Sequence, residues 1–167
     1  MIRLASVLIA ALATVHAASP QPPQITVAKP SGKTRVTAGV ALQPARAAAG
    51  ESVTVFVKAR IAEGHWIYAM EESGSKNLPT RIEDSVPSAL ESRGPWRSPP
   101  PKTQEDGSRT LTGDEVFFQR QYRIATDARA QKSKLRFRLE FQVCNDMVCW
   151  PPETIDMETE LEVVKPR

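Results

Sequence analysis

Hydrophobic and polar residues alternate along much of this chain, and a period of two is typical of β-strands that bury one face. The clearest case is KLRFRLEFQVC, where apolar residues at odd positions from Leu135 to Val143 alternate with charged or polar residues. The segment VTVFVKARI at 53–61 repeats this alternation. Weaker strand patterns lie at 35–42, 65–69, 80–84, 115–124 and 154–164.

Gly, Pro, Asn and Asp separate these segments as turn signals, and no segment has the pattern of a long amphipathic helix. The spacing predicts an all-β fold: a single-domain, mostly antiparallel β-sandwich of immunoglobulin-like type. We expect at most one helical turn, at 128–134. The long, proline-rich segment 94–115 predicts a connection that is either functional or merely solvated.

The N-terminal residues 1–17 have the features of a secretory signal peptide. A positive charge precedes an apolar run at 4–15, which is shorter than the roughly 20 residues of a membrane-spanning helix. Small residues predict cleavage after Ala17, followed by a Pro-rich tether at 18–33 and a folded domain at 34–165. We therefore expect a periplasmic or otherwise exported protein with no stable membrane insertion after signal cleavage.

The charges argue against one class of partner. The chain has 22 Lys and Arg against 19 Asp and Glu, a formal net charge of +3, and the two signs are interspersed. A nucleic-acid-binding face needs concentrated basic residues, so we predict no nucleic-acid partner. The sequence has neither a Gly-rich phosphate-binding loop nor a Ser-His-Asp order, and no small-molecule substrate is evident.

The chain has two cysteines, Cys144 and Cys149, and both lie within FQVCNDMVCWPPET at 141–154. In an exported protein such a pair can form a lasting disulfide. Cys144 follows Glu140 and Gln142 on the polar side of the preceding strand pattern. Alternation therefore predicts that Cys144 faces solvent or a loop.

Three roles for the pair stay open from the residues alone. A structural zinc site needs four ligands, and a Cu(I) site through a cysteine, Met147 and Met157 has little support, so we predict no metal. A structural disulfide here would close only a short loop, which removes roughly 2 kcal/mol of unfolded-state entropy. Thiol–disulfide exchange needs a sulfur that a partner thiolate can reach, and a hairpin tip on the polar face meets that need.

Two neighbours of the cysteines are candidate supporting residues. Trp150 either shapes a docking surface beside the sulfurs or packs in the core. Asp146 either raises the pKa of a nearby thiol through its negative charge or simply makes the turn between the cysteines.

The stretch FQVCNDMVCWPPET resembles the active-site segment of the periplasmic N-terminal domain of the thiol:disulfide interchange protein DsbD. GHWIYAMEESGSKNLPTRIE at 64–83 and GDEVFFQRQYRI at 113–124 resemble the same family, so the likeness covers most of 35–164. The matching positions of the motif are Gln142, Cys144, Cys149, Trp150, Pro151, Pro152, Glu153 and Thr154.

The resemblance implies an immunoglobulin-like sandwich whose cysteines cycle between dithiol and disulfide in exchange with thioredoxin-like redox proteins. No cofactor is needed, because the sulfurs carry the two electrons. By motif position, Cys149 would form the mixed disulfide and Cys144 would resolve it, with Tyr68 close to the sulfurs. In the family a cap loop with an aromatic tip shields the cysteines; here the cap position falls at 108–114, with Leu111 and no aromatic.

The leading hypothesis is an exported exchange module that relays reducing equivalents between a thioredoxin-like donor and periplasmic redox proteins, with protein-disulfide reductase activity. The sequence has no segment resembling the family's transmembrane conduit or thioredoxin domain, so we expect the electrons to come from a separate protein. The alternative is a non-catalytic exported β-sandwich that binds a protein partner and has an inert hairpin disulfide. The reduction potential separates the two, because structural disulfides lie below about −300 mV.

Overall fold

The computed structural model describes residues 22–70 and 78–165, and within these ranges it contains β-strands and no helix. In chain order the strands are β1 (Val36–Gln43), β2 (Arg46–Ala48), β3 (Ser52–Ile61), β4 (Trp66–Tyr68), β5 (Arg81–Ser85), β6 (Leu90–Ser92), β7 (Lys102–Thr103), β8 (Arg109–Leu111), β9 (Val116–Ile124), β10 (Gln131–Phe141), β11 (Val143–Cys144) and β12 (Glu153–Val164). Accordingly, these ranges offer no helix of the length and apolar character that a membrane crossing requires. The predicted signal peptide at 1–17, with its cleavage position Ala17, lies outside the described residues.

The described strands form three four-stranded sheets. The first has the order β1-β3-β9-β6, the second β2-β12-β10-β5 and the third β11-β4-β8-β7. The pairings are antiparallel, apart from the short parallel contact between β2 and β12. The first two sheets enclose one hydrophobic core, and the third closes one end of it. This arrangement confirms the predicted all-β, mostly antiparallel sandwich of immunoglobulin-like type.

Alternation along two long strands builds the core. On β10, Leu135, Phe137 and Leu139 are at most 2% exposed, whereas the intervening arginines face solvent. On β3, Val55 and Val57 are fully buried and point into the same cluster. Burying such side chains contributes about 1.5–3 kcal/mol each, which fixes the register because a slip of one residue would expose the whole apolar set.

All seven predicted strand segments contain strands, and the structure has further strand residues in two segments where no strand was predicted. The segment 128–134 makes no helical turn, because β10 begins at Gln131, where it already pairs with Val163 of β12. The segment 94–115 contains β7 and β8, which pair with each other, and whether this segment is functional or merely solvated stays a prediction. Such short strands carry too few residues for the period of two to be recognisable.

The described part of the predicted tether, 22–33, lies against the outer side of β1. Arg60 donates a hydrogen bond to the carbonyl oxygen of Val27 at 3.0 Å, and the Val27 side chain is buried. A Cβ on Gly39 would stand 3.0 Å from a methyl group of Val27 and 3.2 Å from one of Ile25. Gly39 therefore leaves the room that this close contact needs. The tether boundary itself stays a prediction.

Candidate functional site

Cys144 and Cys149 form a disulfide with an S–S distance of 2.02 Å. The two residues face each other as an isolated antiparallel bridge, and the amide of Trp150 donates to the carbonyl oxygen of Val143 at 2.9 Å. The disulfide therefore spans the neck of a tight hairpin, which we call the disulfide hairpin, residues 143–150. This hairpin belongs to the third sheet, because Cys144 pairs with Trp66 of β4.

Asn145 makes the turn of the disulfide hairpin. Its side-chain oxygen accepts hydrogen bonds from the amides of Met147 at 3.0 Å and Val148 at 2.9 Å. Its own amide donates to the carbonyl oxygen of Val148 at 3.0 Å. Of the two roles considered for Asp146, the turn-forming hydrogen bonds belong to its neighbour, and Asp146 itself is exposed. The turn holds Met147, which is 89% exposed, and Val148, which is 46% exposed, away from the body of the domain.

The two halves of the disulfide differ in exposure. Cys144 is 0% exposed, whereas Cys149 is an exposed residue. The prediction that Cys144 faces solvent was wrong, because the alternation of buried and more exposed residues ends at Val143. β10 ends at Phe141, and Gln142 is the one residue between it and β11. β11 belongs to the third sheet, where it pairs with β4, and both of its residues, Val143 and Cys144, are buried.

Gln142 holds the junction between the two sheets. Its side-chain nitrogen donates to the carbonyl oxygen of Trp150 at 3.1 Å, and its side-chain oxygen accepts from the amide of Leu78 at 3.4 Å. One half-buried side chain thus links the strand that enters the disulfide hairpin to the residue that leaves it. The sequence pattern identifies Gln142 only as a polar strand position and a motif match.

Tyr68 lies directly beside the sulfurs. Its hydroxyl oxygen is 3.5 Å from Sγ of Cys144 and 3.6 Å from Sγ of Cys149. The ring is 5% exposed, and the Thr80 hydroxyl donates to the Tyr68 carbonyl oxygen at 2.6 Å. A buried hydroxyl in this position can donate a hydrogen bond to either sulfur, and such a bond is strongest when the sulfur is a thiolate.

Leu111 lies on the other side of the same sheet. It pairs with Ile67 of β4, which in turn pairs with Val143, and all three side chains belong to the main hydrophobic core. Neighbouring positions on a strand face opposite sides, so the sulfurs share a face with Tyr68 and not with Leu111. A capping role for Leu111 stays a prediction, and this conformation places its side chain in the core at 3% exposure.

Trp150 stacks with two side chains that are distant in sequence. The guanidinium carbon of Arg35 lies 3.7 Å from the centroid of the Trp150 ring. The centroids of the His65 and Trp150 rings are 5.5 Å apart, and the angle between the two ring planes is 36°. Trp150 is half-buried and packs against the edge of the core. The sequence places Trp150 near the sulfurs but gives no sign of Arg35, since no local pattern links the start of β1 to the C-terminal motif.

A cleft of about 330 Å³ opens beside the disulfide hairpin, and Asp146, His65 and Trp66 contribute to its walls. In residues 22–70 and 78–165, no three His, Cys, Asp or Glu side chains come together as a group that could hold a metal ion. The groups that meet at the disulfide are the two sulfurs and the Tyr68 hydroxyl.

Comparison with known proteins places this geometry in a family. The model of the N-terminal domain of the thiol:disulfide interchange protein DsbD matches residues 36–161. No curated protein matches the chain. In that family the domain is periplasmic.

The solved structures that are similar to this chain include two N-terminal domains. The N-terminal periplasmic domain of ScsB from Proteus mirabilis aligns with 79% of this chain at 18% identity and a TM-score of 0.51, and the chain spans 48% of its length. The N-terminal domain of DsbD from Neisseria meningitidis, in the reduced form, aligns with 68% of this chain and 78% of its own at 23% identity and a TM-score of 0.38. At such identities the ScsB likeness supports the fold alone.

The family match covers most of the sandwich, including β4, both cysteines and the hairpin between them. It therefore includes the disulfide together with the strand that presents Tyr68 to it. The chain belongs to the family of DsbD N-terminal domains.

Proposed function

We propose that this chain is an exported thiol–disulfide exchange domain that relays two electrons between a thioredoxin-like protein and periplasmic redox proteins. The observation that carries the proposal is the unequal exposure of the two bonded cysteines: Cys149 is exposed and Cys144 is buried. A thiolate attacks a disulfide sulfur in line with the S–S bond. With the buried sulfur behind it, Cys149 is the one that a partner reaches from outside.

The exchange then runs in two balanced steps. A partner thiolate attacks Sγ of Cys149, the S–S bond breaks, and Cys144 leaves as a thiolate. The partner's second thiolate then attacks the partner's first sulfur, which is bonded to Cys149 in the mixed disulfide, and Cys149 is released as a thiolate. Two protons from solvent complete the two thiols, so the domain gains two electrons and the partner dithiol becomes a disulfide. In the opposite direction Cys149 attacks an oxidised partner and Cys144 resolves the mixed disulfide.

Tyr68 is placed to assist the first step. When Cys144 leaves as a thiolate, the Tyr68 hydroxyl, 3.5 Å away, can donate a hydrogen bond to it. A stabilised thiolate has a lower pKa and is a better leaving group. Replacing Tyr68 by Phe keeps the ring and removes the donor. Because a hydrogen bond to a charged group contributes about 1.5–3 kcal/mol, we expect reduction to slow by about tenfold.

The reduction potential tests the proposal directly. The oxidised protein is equilibrated with glutathione buffers of known ratio, and the dithiol fraction is measured after acid quenching and alkylation. An exchange domain should have a potential above about −300 mV, whereas a lower value would favour the inert disulfide of a protein-binding module.

Two single variants test which sulfur forms the mixed disulfide. Cys144→Ala leaves an exposed thiol, and Cys149→Ala leaves a buried one. With a thioredoxin-fold protein that lacks its own resolving cysteine, only Cys144→Ala should form a stable mixed disulfide in high yield. Equal yields from the two variants would contradict the assignment.

Export is a separate part of the proposal and has its own test. The family's domain is periplasmic, and the sequence pattern of residues 1–17 supports the same location. N-terminal sequencing of the protein purified from the periplasm should begin at Ala18. A retained Met1 in a cytoplasmic fraction would contradict export.

A further inference from the structure

We propose that Arg35 and His65 hold Trp150 in a clamp that positions Cys149 for bond formation with Cys144. The clamp consists of these three side chains: the Arg35 guanidinium 3.7 Å from the Trp150 ring centroid and the His65 ring 5.5 Å from it. The inference rests on the proposed exchange function, and it assigns a positioning role to residues that do not touch the sulfurs themselves.

Backbone hydrogen bonds bring Arg35 and His65 together. The Arg35 carbonyl oxygen accepts from the amide of Ala62 at 2.8 Å, and the Ala62 carbonyl oxygen accepts from the amide of His65 at 3.1 Å. The turn between Ala62 and His65 contains Gly64 at a φ of 72°, a conformation that favours glycine. Ala62 therefore links two segments that are far apart in sequence, and each segment supplies one of the side chains that contact Trp150.

A backbone group close to Arg35 in sequence also orients its guanidinium. The guanidinium donates to the carbonyl oxygen of Lys33 at 3.0 Å, just after a turn in which the Thr34 amide donates to the carbonyl oxygen of Ser31 at 3.1 Å. An oriented, half-buried guanidinium over an indole is a cation–π contact, and Trp is the best aromatic partner for it. The Lys33 carbonyl oxygen and the Trp150 ring therefore both hold the Arg35 guanidinium at this edge of the domain.

Because Trp150 directly follows Cys149, holding Trp150 in place also restricts the position of Cys149. The amide of Trp150 donates to the carbonyl oxygen of Val143 and its carbonyl oxygen accepts from the Gln142 side chain, so both backbone groups of Trp150 are tied to the two residues that precede Cys144. Cys149 immediately precedes Trp150. When the disulfide is reduced, the clamp keeps the Cys149 thiol close to Cys144, which raises the effective concentration of one thiol at the other.

A high effective concentration favours the disulfide and lowers the reduction potential. Loosening the clamp should therefore raise the potential and slow the attack of Cys144 on a mixed disulfide at Cys149. The charge of Arg35 acting alone would do the opposite, because a cation stabilises a nearby thiolate and so favours the reduced state. The sign of the change distinguishes positioning from electrostatics.

The test compares Arg35→Gln with wild type in glutathione redox buffers. We expect the effective concentration to fall by about fivefold, equal to a rise of about 20 mV for a two-electron couple. The mixed disulfide of Cys149 with glutathione should decay more slowly by a similar factor. Arg35→Lys keeps the charge without the planar stacking group and should show a smaller change in the same direction.

Arg46→Gln is the matched control. Arg46 lies on β2, where it pairs with Glu162 at 3.3 Å, at the end of β12 away from Trp150, and its loss should leave the potential unchanged. Trp150→Ala should give a larger rise than Arg35→Gln; if that variant fails to fold, Arg35→Gln still decides the question. An unchanged or lowered potential for Arg35→Gln would overturn the clamp.

The clamp and the exchange function fail in different ways. A wild-type potential below about −300 mV would contradict exchange, yet the difference between Arg35→Gln and wild type would still measure the clamp. A higher wild-type potential with no difference between the two proteins would leave exchange intact and remove the positioning role.

Discussion

The disulfide hairpin lies in the chain between the two strands of the β10–β12 ladder, but these two regions bury their residues in different ways. The ladder pairs two strands from Gln131 to Phe141, with one face in the core and the other in solvent. Its wet face carries ion pairs such as Lys134–Glu158 at 3.0 Å and Arg138–Asp156 at 2.8 Å. The disulfide hairpin pairs with β4 over two residues only, and both of its β11 residues are buried.

The two regions therefore contribute different things: the ladder stabilises the fold, and the hairpin keeps one end of the disulfide accessible. The long ladder supplies apolar burial and a fixed register, whereas exposed ion pairs of this kind contribute about 0–1 kcal/mol each. The hairpin has little ladder of its own, so one end of the disulfide can stand in solvent while the other end is anchored in the core. A disulfide held in this way stays accessible at Cys149 without loosening the sandwich.

The largest effect should come from the core face of the ladder. Phe137 is 2% exposed and makes an edge-to-face contact with Trp96 at 6.1 Å. Phe137→Ala should lower the free energy of unfolding by about 3–5 kcal/mol, because it leaves a cavity. Arg136→Ala, on the wet face of the same strand, should change it by less than about 0.5 kcal/mol. Urea unfolding of the oxidised proteins measures both, and similar losses would refute the two-faced ladder.

Leu111→Ala tests whether the small sheet belongs to the same core. If Leu111 packs as the structure has it, the variant should lose about 3 kcal/mol of stability. The rate at which dithiothreitol reduces the Cys144–Cys149 disulfide should then stay close to wild type under native conditions. A small loss of stability combined with much faster reduction would instead support Leu111 as the cap of the sulfurs.

Removing the disulfide should cost less than either core substitution. The double variant Cys144→Ala with Cys149→Ala opens a short loop, for which the chain-entropy model gives about 2 kcal/mol. Urea unfolding of this variant and of oxidised wild type measures the difference. A loss above about 4 kcal/mol, or failure to fold, would show that the bond is a main support of the domain and not chiefly a reactive group.

The smallest effect concerns the wet face of the ladder and depends on pH. Arg138 lowers the pKa of Asp156 from 3.8, mainly through its hydrogen bond to the carboxylate. A lowered pKa in the folded state stabilises the fold above the unfolded-state pKa, and this stabilisation is lost as the pH falls through the folded-state value.

Asp156→Asn should therefore lose a little stability at neutral pH and almost none at acid pH. The midpoint of urea unfolding, measured from about pH 6 down to about pH 2, should fall less steeply for the variant than for wild type. Asp127→Asn, an exposed change outside the ladder, is the control. Parallel curves for Asp156→Asn and wild type would show that the pair contributes nothing.

Sequence periodicity predicted the long strands well, because each repeats its pattern over many residues. It failed at Cys144, because the alternation of β10 was continued past Gln142 to a residue that lies on β11, a strand of a different sheet. The shortest strands, such as β7 and β11, were missed because two residues are too few to show a period of two. A pattern of period two carries no information about which sheet the next strand joins.

The sequence by itself determined that this chain forms a sandwich of alternating strands and that its two cysteines lie within reach of each other near a turn. Only the tertiary structure decided that Cys144 is buried, that Tyr68 lies against both sulfurs and that Arg35 meets Trp150. Alternation and turn signals act between neighbours in sequence. Exposure and long-range contacts depend on how separate strands pack, and that packing is a property of the whole fold.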